Sequence, residues 1–205
     1  MTPPFRVVLL GMHCAFTLPP LRALLTAPDI DLRAVIVPAP PEATSEAVAE
    51  LALPTLDKVL RSHHIPLIEA PSLRRGALLP ALDPVDTATL DAVVTACFPW
   101  RVPRWLRELP RFGALNVHPS LLPEGRGPEP VFRALRNGQR RTGVTIHLLD
   151  RGWDTGPILA QAPFAIPDRV ALPELETTLA ERGGALLVDT LRALAAGQAT
   201  PRTQN

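Results

Sequence analysis

The chain is 205 residues long, 46% apolar, 20% charged and 4% aromatic, with a formal net charge of +1. At ~150 residues per domain, that length suggests one domain, or two small ones, with enough apolar residues to bury a core. The near-zero charge argues against a nucleic-acid partner gripped by phosphate neutralisation, and Lys58 is the single lysine.

Cys14 and Cys97 are the only cysteines; they make neither a disulfide framework nor a zinc-ligand spacing. Both are expected as buried thiols in a reducing compartment. The apolar stretch VVLLGMHCAF is far short of the ~20 residues needed to cross a bilayer. Its single preceding charge, Arg6, suits a strand and turn better than a signal peptide. The reading is of a cytoplasmic protein without membrane contact.

Proline is the compositional outlier, 25 residues against a usual ~5%, and it divides the chain. Arg6–Leu10 reads as a buried first strand ending at Gly11. Pro19 and Pro20 suit the opening of a helix through Leu25, and Leu32–Val37 is a second strand. Pro38–Pro54 reads as a mobile excursion, followed by a helix over Thr55–His63 and a third strand over Ile65–Ile68. Asp91–Cys97 is a fourth strand, Trp105–Leu109 a short helix and Gly113–His118 a fifth strand. Pro130–Asn137 has proline at its start and Gly138 past its end, as a helix should. Val144–Leu149 and Ile158–Ile166 are two further strands. Pro173–Ala196 carries Leu175, Leu179, Gly183, Leu186 or Leu187, Leu191 and Leu194 at helical spacing. Gly183 and Gly184 inside this helix imply close backbone packing, since each costs roughly 1 kcal/mol there. The alternation predicts a Rossmann-like α/β fold, a mostly parallel sheet flanked by helices. In such a sheet, ligands sit at the carboxyl ends of the strands.

The first strand-to-helix turn, GMHCAF, has one glycine, so neither a dinucleotide fingerprint nor a P-loop is present. Ser120 lacks the glycines of a nucleophile elbow. Polar groups instead concentrate in ALNVHPSLLPEGRGPEP and TGVTIHLLDRGWDTGPIL. Asn116 and His118 are two apart on a strand and project from one face. Asp150 and Asp154 lie in a glycine-bearing loop that can aim an acid at a neighbouring cleft. An amide donor, an imidazole and a carboxylate suit acyl transfer, by oxyanion stabilisation and proton movement. Taken alone, an N-x-H pair at a strand end is more often a turn-forming asparagine with a structural histidine.

The stretch from Asp91 to Gln161 resembles the folate-dependent formyltransferase family. The family's N-x-H-P-S-L-L-P signature stands here as Asn116, His118, Pro119, Ser120, Leu121, Leu122 and Pro123. Its aspartate loop stands as Asp150, Gly152, Asp154, Thr155, Gly156, Pro157 and Ile158. The resemblance implies a single catalytic domain over residues 1–205, with Asn116, His118 and Asp154 as the catalytic trio and no metal. The donor would be 10-formyltetrahydrofolate, whose formyl carbon an acceptor amine attacks. Asn116 would hydrogen-bond the oxygen of the tetrahedral intermediate, and His118, kept protonated by Asp154, would add positive charge beside it. A water held by Asp154 would carry the proton to the departing folate nitrogen. The pterin would lie against Phe98, Trp100, Arg101 and Val102, then Asp150 to Trp153. Trp100 and Trp153 suit the walls of a flat site, though ordinary loop packing would also account for them. His147 is expected to support the catalytic loop, while His13, His63 and His64 are expected as packing or surface residues.

The loop EGRGPEP resembles one on the acceptor side of some members. There Glu129 would attract an ammonium group, and Arg126 would meet an anion or anchor the loop. The tRNA-acting members carry a further C-terminal domain and a basic insertion, whereas this chain stops soon after its long helix and Pro38–Pro54 is not basic. Prolines replace the phosphate cradle of the ribonucleotide-acting members. Both acceptors are therefore disfavoured, and a small primary amine is expected as partner beside folate. Two other readings use the same residues: a hydrolase releasing formate from formyltetrahydrofolate, and a non-catalytic folate-binding protein.

Overall fold

A computed structural model of the chain describes residues 3–40 and 54–205. Its elements run β1 (Phe5–Leu10), α1 (Leu18–Thr26), β2 (Ile30–Pro38), α2 (Pro54–Ser62), β3 (Leu67–Ala70) and α3 (Arg75–Leu78). Two 3-10 turns, Pro80–Val85 and Thr87–Thr89, lead to β4 (Ala92–Ala96), α4 (Arg104–Arg107), β5 (Ala114–His118) and α5 (Pro130–Arg136). The chain closes through β6 (Arg141–Leu148), β7 (Ile158–Ala165) and the long α6 (Leu172–Ala195).

The seven strands form one sheet in the order β3-β2-β1-β4-β5-β6-β7. The strands from β3 through β5 pair in parallel, and β6 and β7 join antiparallel. The sheet is therefore mostly parallel, as the strand and helix alternation predicts. Its apolar runs are continuous because both faces are covered. Val7 and Leu9 of β1 point to the face that packs α1 and α6, while Val8 and Leu10 point to the face covered by Leu78, Leu82 and Leu106.

The expected strands and main helices are all present, with β3 displaced two residues toward the C-terminus and β6 beginning three residues earlier. The expected excursion over Pro38–Pro54 falls, from residue 41 to 53, outside the described residues. The glycine pair in α6 marks a close approach, as its composition implies. A Cβ on Gly183 would stand 2.7 Å from a Val117 methyl, and one on Gly184 2.9 Å from the Pro19 carbonyl. Among the described residues, no helix is long and apolar enough to cross a membrane.

The cysteines depart from expectation. Cys14 is half-buried and Cys97 is exposed, because Cys97 follows the last residue of β4 in a left-handed turn, φ 55°, that carries its side chain off the sheet. The Cys97 thiol beside it draws the Cys14 thiol down to about 6 despite partial burial. The same interaction pushes Cys97 up.

Candidate active site

Strand register builds the site. β4 to β5 pairing sets Thr95 beside Asn116, and β5 to β6 pairing sets Asn116 beside His147. Neighbours in register share a face, so three polar side chains form a row across an otherwise apolar sheet. Thr95 donates its hydroxyl to Asn116 Oδ1 at 2.7 Å, which leaves Asn116 Nδ2 to donate. It does so to His147 Nε2 at 3.2 Å and to Asp154 Oδ1 at 3.3 Å. His147 is fully buried, and its Nδ1 donates to the Leu148 carbonyl at 2.9 Å. A carbonyl can only accept, so the proton sits on Nδ1 and Nε2 receives the Asn116 bond.

His118 ends β5 and is buried, 5% exposed. Its Nε2 lies 2.9 Å from the Gly125 carbonyl, so the neutral ring carries its proton there. Nδ1 is left as a lone pair 3.7 Å from Asp154 Oδ2. Burial pulls the His118 pKa below 6.5, and although Asp154 and the Gly125 carbonyl oppose that, the net shift is downward. Burial thus works against the expected protonation of His118 by Asp154, since charging a buried ring costs more than the attraction across 3.7 Å returns.

Asp154 sits in a left-handed conformation, φ 55°, in the loop between β6 and β7. The turn is tight. A Cβ on Gly156 would collide with the Leu148 carbonyl, so glycine at 156 is a steric requirement of the loop. Oδ2 accepts the Gly127 N–H at 2.9 Å, and Oδ1 lies 3.6 Å from His147 Nε2. Burial would raise this carboxyl, but His147, His118 and the Gly127 N–H prevail and hold it below the usual carboxylate range. The centre is thus an ionised carboxylate touching an oriented amide, with a buried imidazole alongside.

Asn116 and Asp154 form part of the wall of a cavity of about 500 Å³. Phe98, Trp100, Arg101, Val102 and Asp150 to Trp153 line it as well, so all eight residues expected against the pterin border one space. Phe98 meets Trp100 edge to face, with centroids 5.7 Å apart. The Arg101 guanidinium lies 5.8 Å from the exposed Trp153 ring. Asp150 turns back on its own loop, accepting from Gly152 N at 2.8 Å and from the Thr155 hydroxyl at 2.7 Å.

His118 is not among the residues lining this cavity, and neither are Arg126 and Glu129. Glu129 is exposed in a left-handed turn just before α5. The Arg126 guanidinium donates to Gln204 through Nε and Nη2.

Thr95, the Gly127 amide and Gln204 belong to the site but escape the sequence reading. The signal for Thr95 is its lone hydroxyl in the buried run AVVTA. A backbone amide leaves no trace in a sequence.

The geometry defines a Rossmann-like α/β protein with an amide, imidazole and carboxylate gathered at the carboxyl edge of its parallel strands. Residues 57–191 match the formyl transferase family, and the chain belongs to that family. It is 35% identical to the methionyl-tRNA formyltransferase of Acidobacterium capsulatum over 93% of this chain and 60% of that protein. It is 38% identical to the methionyl-tRNA formyltransferase of a Synechococcus species over 98% of this chain and 61% of that protein. The chain thus spans about three-fifths of the length of these curated relatives. Among solved structures, it resembles phosphoribosylglycinamide formyltransferase from Bacillus halodurans with a TM-score of 0.71 at 26% identity, covering 93% of this chain and 95% of that one.

Proposed function

We propose that this chain is a single catalytic domain that transfers the formyl group of 10-formyltetrahydrofolate to a primary amine. The observation that carries the reading is the meeting of Asn116 with an ionised Asp154 on the wall of the aromatic-lined cavity. Folate lies in that cavity with its pterin among Phe98, Trp100, Arg101 and Val102, against the Asp150–Trp153 loop. This sets the N10 formyl carbon toward Asn116.

The amine nitrogen attacks the formyl carbon, and its proton passes to the Asp154 and His118 pair. His118 Nδ1 is free to take it because Nε2 already donates to Gly125. The imidazolium forms only as the carbonyl oxygen becomes negative, and Asp154 stabilises it. One Asn116 amide hydrogen, held at 3.3 Å by Asp154 in this structure, turns to the oxyanion. Such a donor supplies ~2.7–4 kcal/mol to the transition state. The carbon–N10 bond then breaks, and the proton returns to N10, giving tetrahydrofolate and the N-formyl product.

A small primary amine is the acceptor this reading favours, since the near-neutral chain offers no basic run. One observation favours methionyl-tRNA instead: the names of the curated relatives at 35% and 38% identity. The experiment supplies 10-formyltetrahydrofolate with no amine, with a panel of amino sugars and amino acids, and with methionyl-tRNA, and follows tetrahydrofolate release. Release that depends on a small amine supports the proposal, and release that depends on methionyl-tRNA replaces the acceptor. Amine-independent release makes the chain a hydrolase. Saturable folate binding without turnover makes it a binding protein.

A further inference from the structure

The segment after α6 reaches back into the site. Arg202 and Ile158 exchange backbone hydrogen bonds at 2.7 and 2.8 Å, so the segment pairs antiparallel with the start of β7. The Arg202 guanidinium also donates to Gln161 Oε1 at 2.8 Å. Two residues on, the Gln204 side chain sits between two loops that are far apart in sequence. Its Nε2 donates to the Asp154 carbonyl at 3.0 Å and to the Gly156 carbonyl at 2.7 Å. Its Oε1 accepts from Arg126 Nε at 2.9 Å and Nη2 at 2.7 Å.

These four bonds use both donors and both acceptor positions of one primary amide. No other side chain type of this length supplies two donors and a doubly accepting oxygen on one planar group. We infer that Gln204 is a positioning residue for the reaction, clamping the Asp154 turn to the Arg126 loop. The inference rests on the assignment of the Asn116, His118 and Asp154 site to formyl transfer.

The clamp acts where the backbone is least settled by itself. Asp154 is held at φ 55°, a left-handed conformation that aspartate adopts more readily than most residues but still less favourably than the right-handed one. From one side, the Gly127 N–H binds its carboxylate, and Gly127 adjoins Arg126. From the other, Gln204 binds its carbonyl and the same Arg126. The two contacts close a ring of hydrogen bonds, so the carboxylate's place beside Asn116 depends on both loops keeping their separation. Arg133 adds to the anchorage by donating to the Arg126 carbonyl.

The test compares the parent with Gln204→Met, which keeps length and removes all four bonds, and with Gln204→Ala as a second variant. In amine-dependent turnover, both variants should lower kcat about tenfold or more, as misplacement of a catalytic group does. The dissociation constant for 10-formyltetrahydrofolate should stay within about threefold, because Gln204 is not among the residues lining the cavity. Placed in an Asp154→Asn background, Gln204→Met should cost little further, since its effect runs through that carboxylate. An unchanged kcat, or an equal cost in both backgrounds, overturns the inference. If the unmodified chain turns over no amine, the formyl-transfer reading fails, and hydrogen–deuterium exchange then decides this one separately. Gln204→Met should speed exchange in the 152–156 turn while leaving β6 unchanged. Equal exchange in that turn overturns it.

Discussion

Asn116 and Asp154, 38 residues apart in the chain, meet with amide nitrogen and carboxylate oxygen 3.3 Å apart. Neither is placed by local structure alone. Asn116 is oriented by the Thr95 hydroxyl on the adjacent strand, and Asp154 by an amide from the loop after β5. The contact therefore reports on the whole carboxyl edge of the sheet.

Replacing Asn116 by Ala removes the oxyanion donor. The expected loss in kcat is about a hundredfold to a thousandfold, with folate binding nearly unchanged because the aromatic lining is intact. The same change strands His147 Nε2, while the Thr95 hydroxyl keeps the Leu115 carbonyl at 3.3 Å, so a stability loss of about 1–3 kcal/mol accompanies it. Single-turnover kinetics and urea unfolding measure the two effects separately.

The charge on His118 is set by burial against Asp154. In Asp154→Asn the attraction that raises the His118 pKa is gone, so the imidazole should titrate at lower pH than in the parent. Both titrations should lie below 6.5. NMR of histidine-labelled protein checks this, and a rise on substitution would contradict it.

The same shifts give stability a defined dependence on acid. His118 folds with its pKa below 6.5, so the unfolded chain binds that proton first as pH falls. Its contribution is complete above pH 6.5 and is lost as pH drops through the folded value. Asp154, held below 3.8, adds a loss in the same direction at lower pH. Tm should fall between about pH 7 and pH 5, and fall less in His118→Asn. Stability that rises on acidification in this range would refute the assignment.

Much of the fold was legible because its signals are local. Continuous apolar runs mark parallel strands, and Pro130 with Gly138 brackets a helix. Asn116 and His118 were legible for the same reason, since two residues on one strand face one way. Asp154 was found through a motif, because nothing local ties residue 154 to residue 116. The downward pull of burial on His118 was not legible, since depth of burial is a property of the packed molecule. Cys97 was misplaced because a left-handed turn at the end of β4 overrides an otherwise apolar pattern. Gln204 lies in a polar tail whose composition suggests only a loop.

The two cysteines should differ in reactivity. Cys14 is drawn down while Cys97 is pushed up, so Cys14 has the greater thiolate character of the two. Brief treatment with iodoacetamide near pH 7 should label Cys14 ahead of Cys97, despite the greater exposure of Cys97. Peptide mass spectrometry reads the order, and preferential labelling of Cys97 would contradict the direction of both shifts.

The most direct measurement follows the carbon itself. 10-Formyltetrahydrofolate carrying a 13C-labelled formyl group is mixed with excess protein and an amine acceptor, and the label is located by NMR. The account predicts that the label moves to the amine nitrogen with the parent chain and stays on the folate with Asp154→Asn. Label recovered as formate, or moved equally fast by the variant, would contradict it.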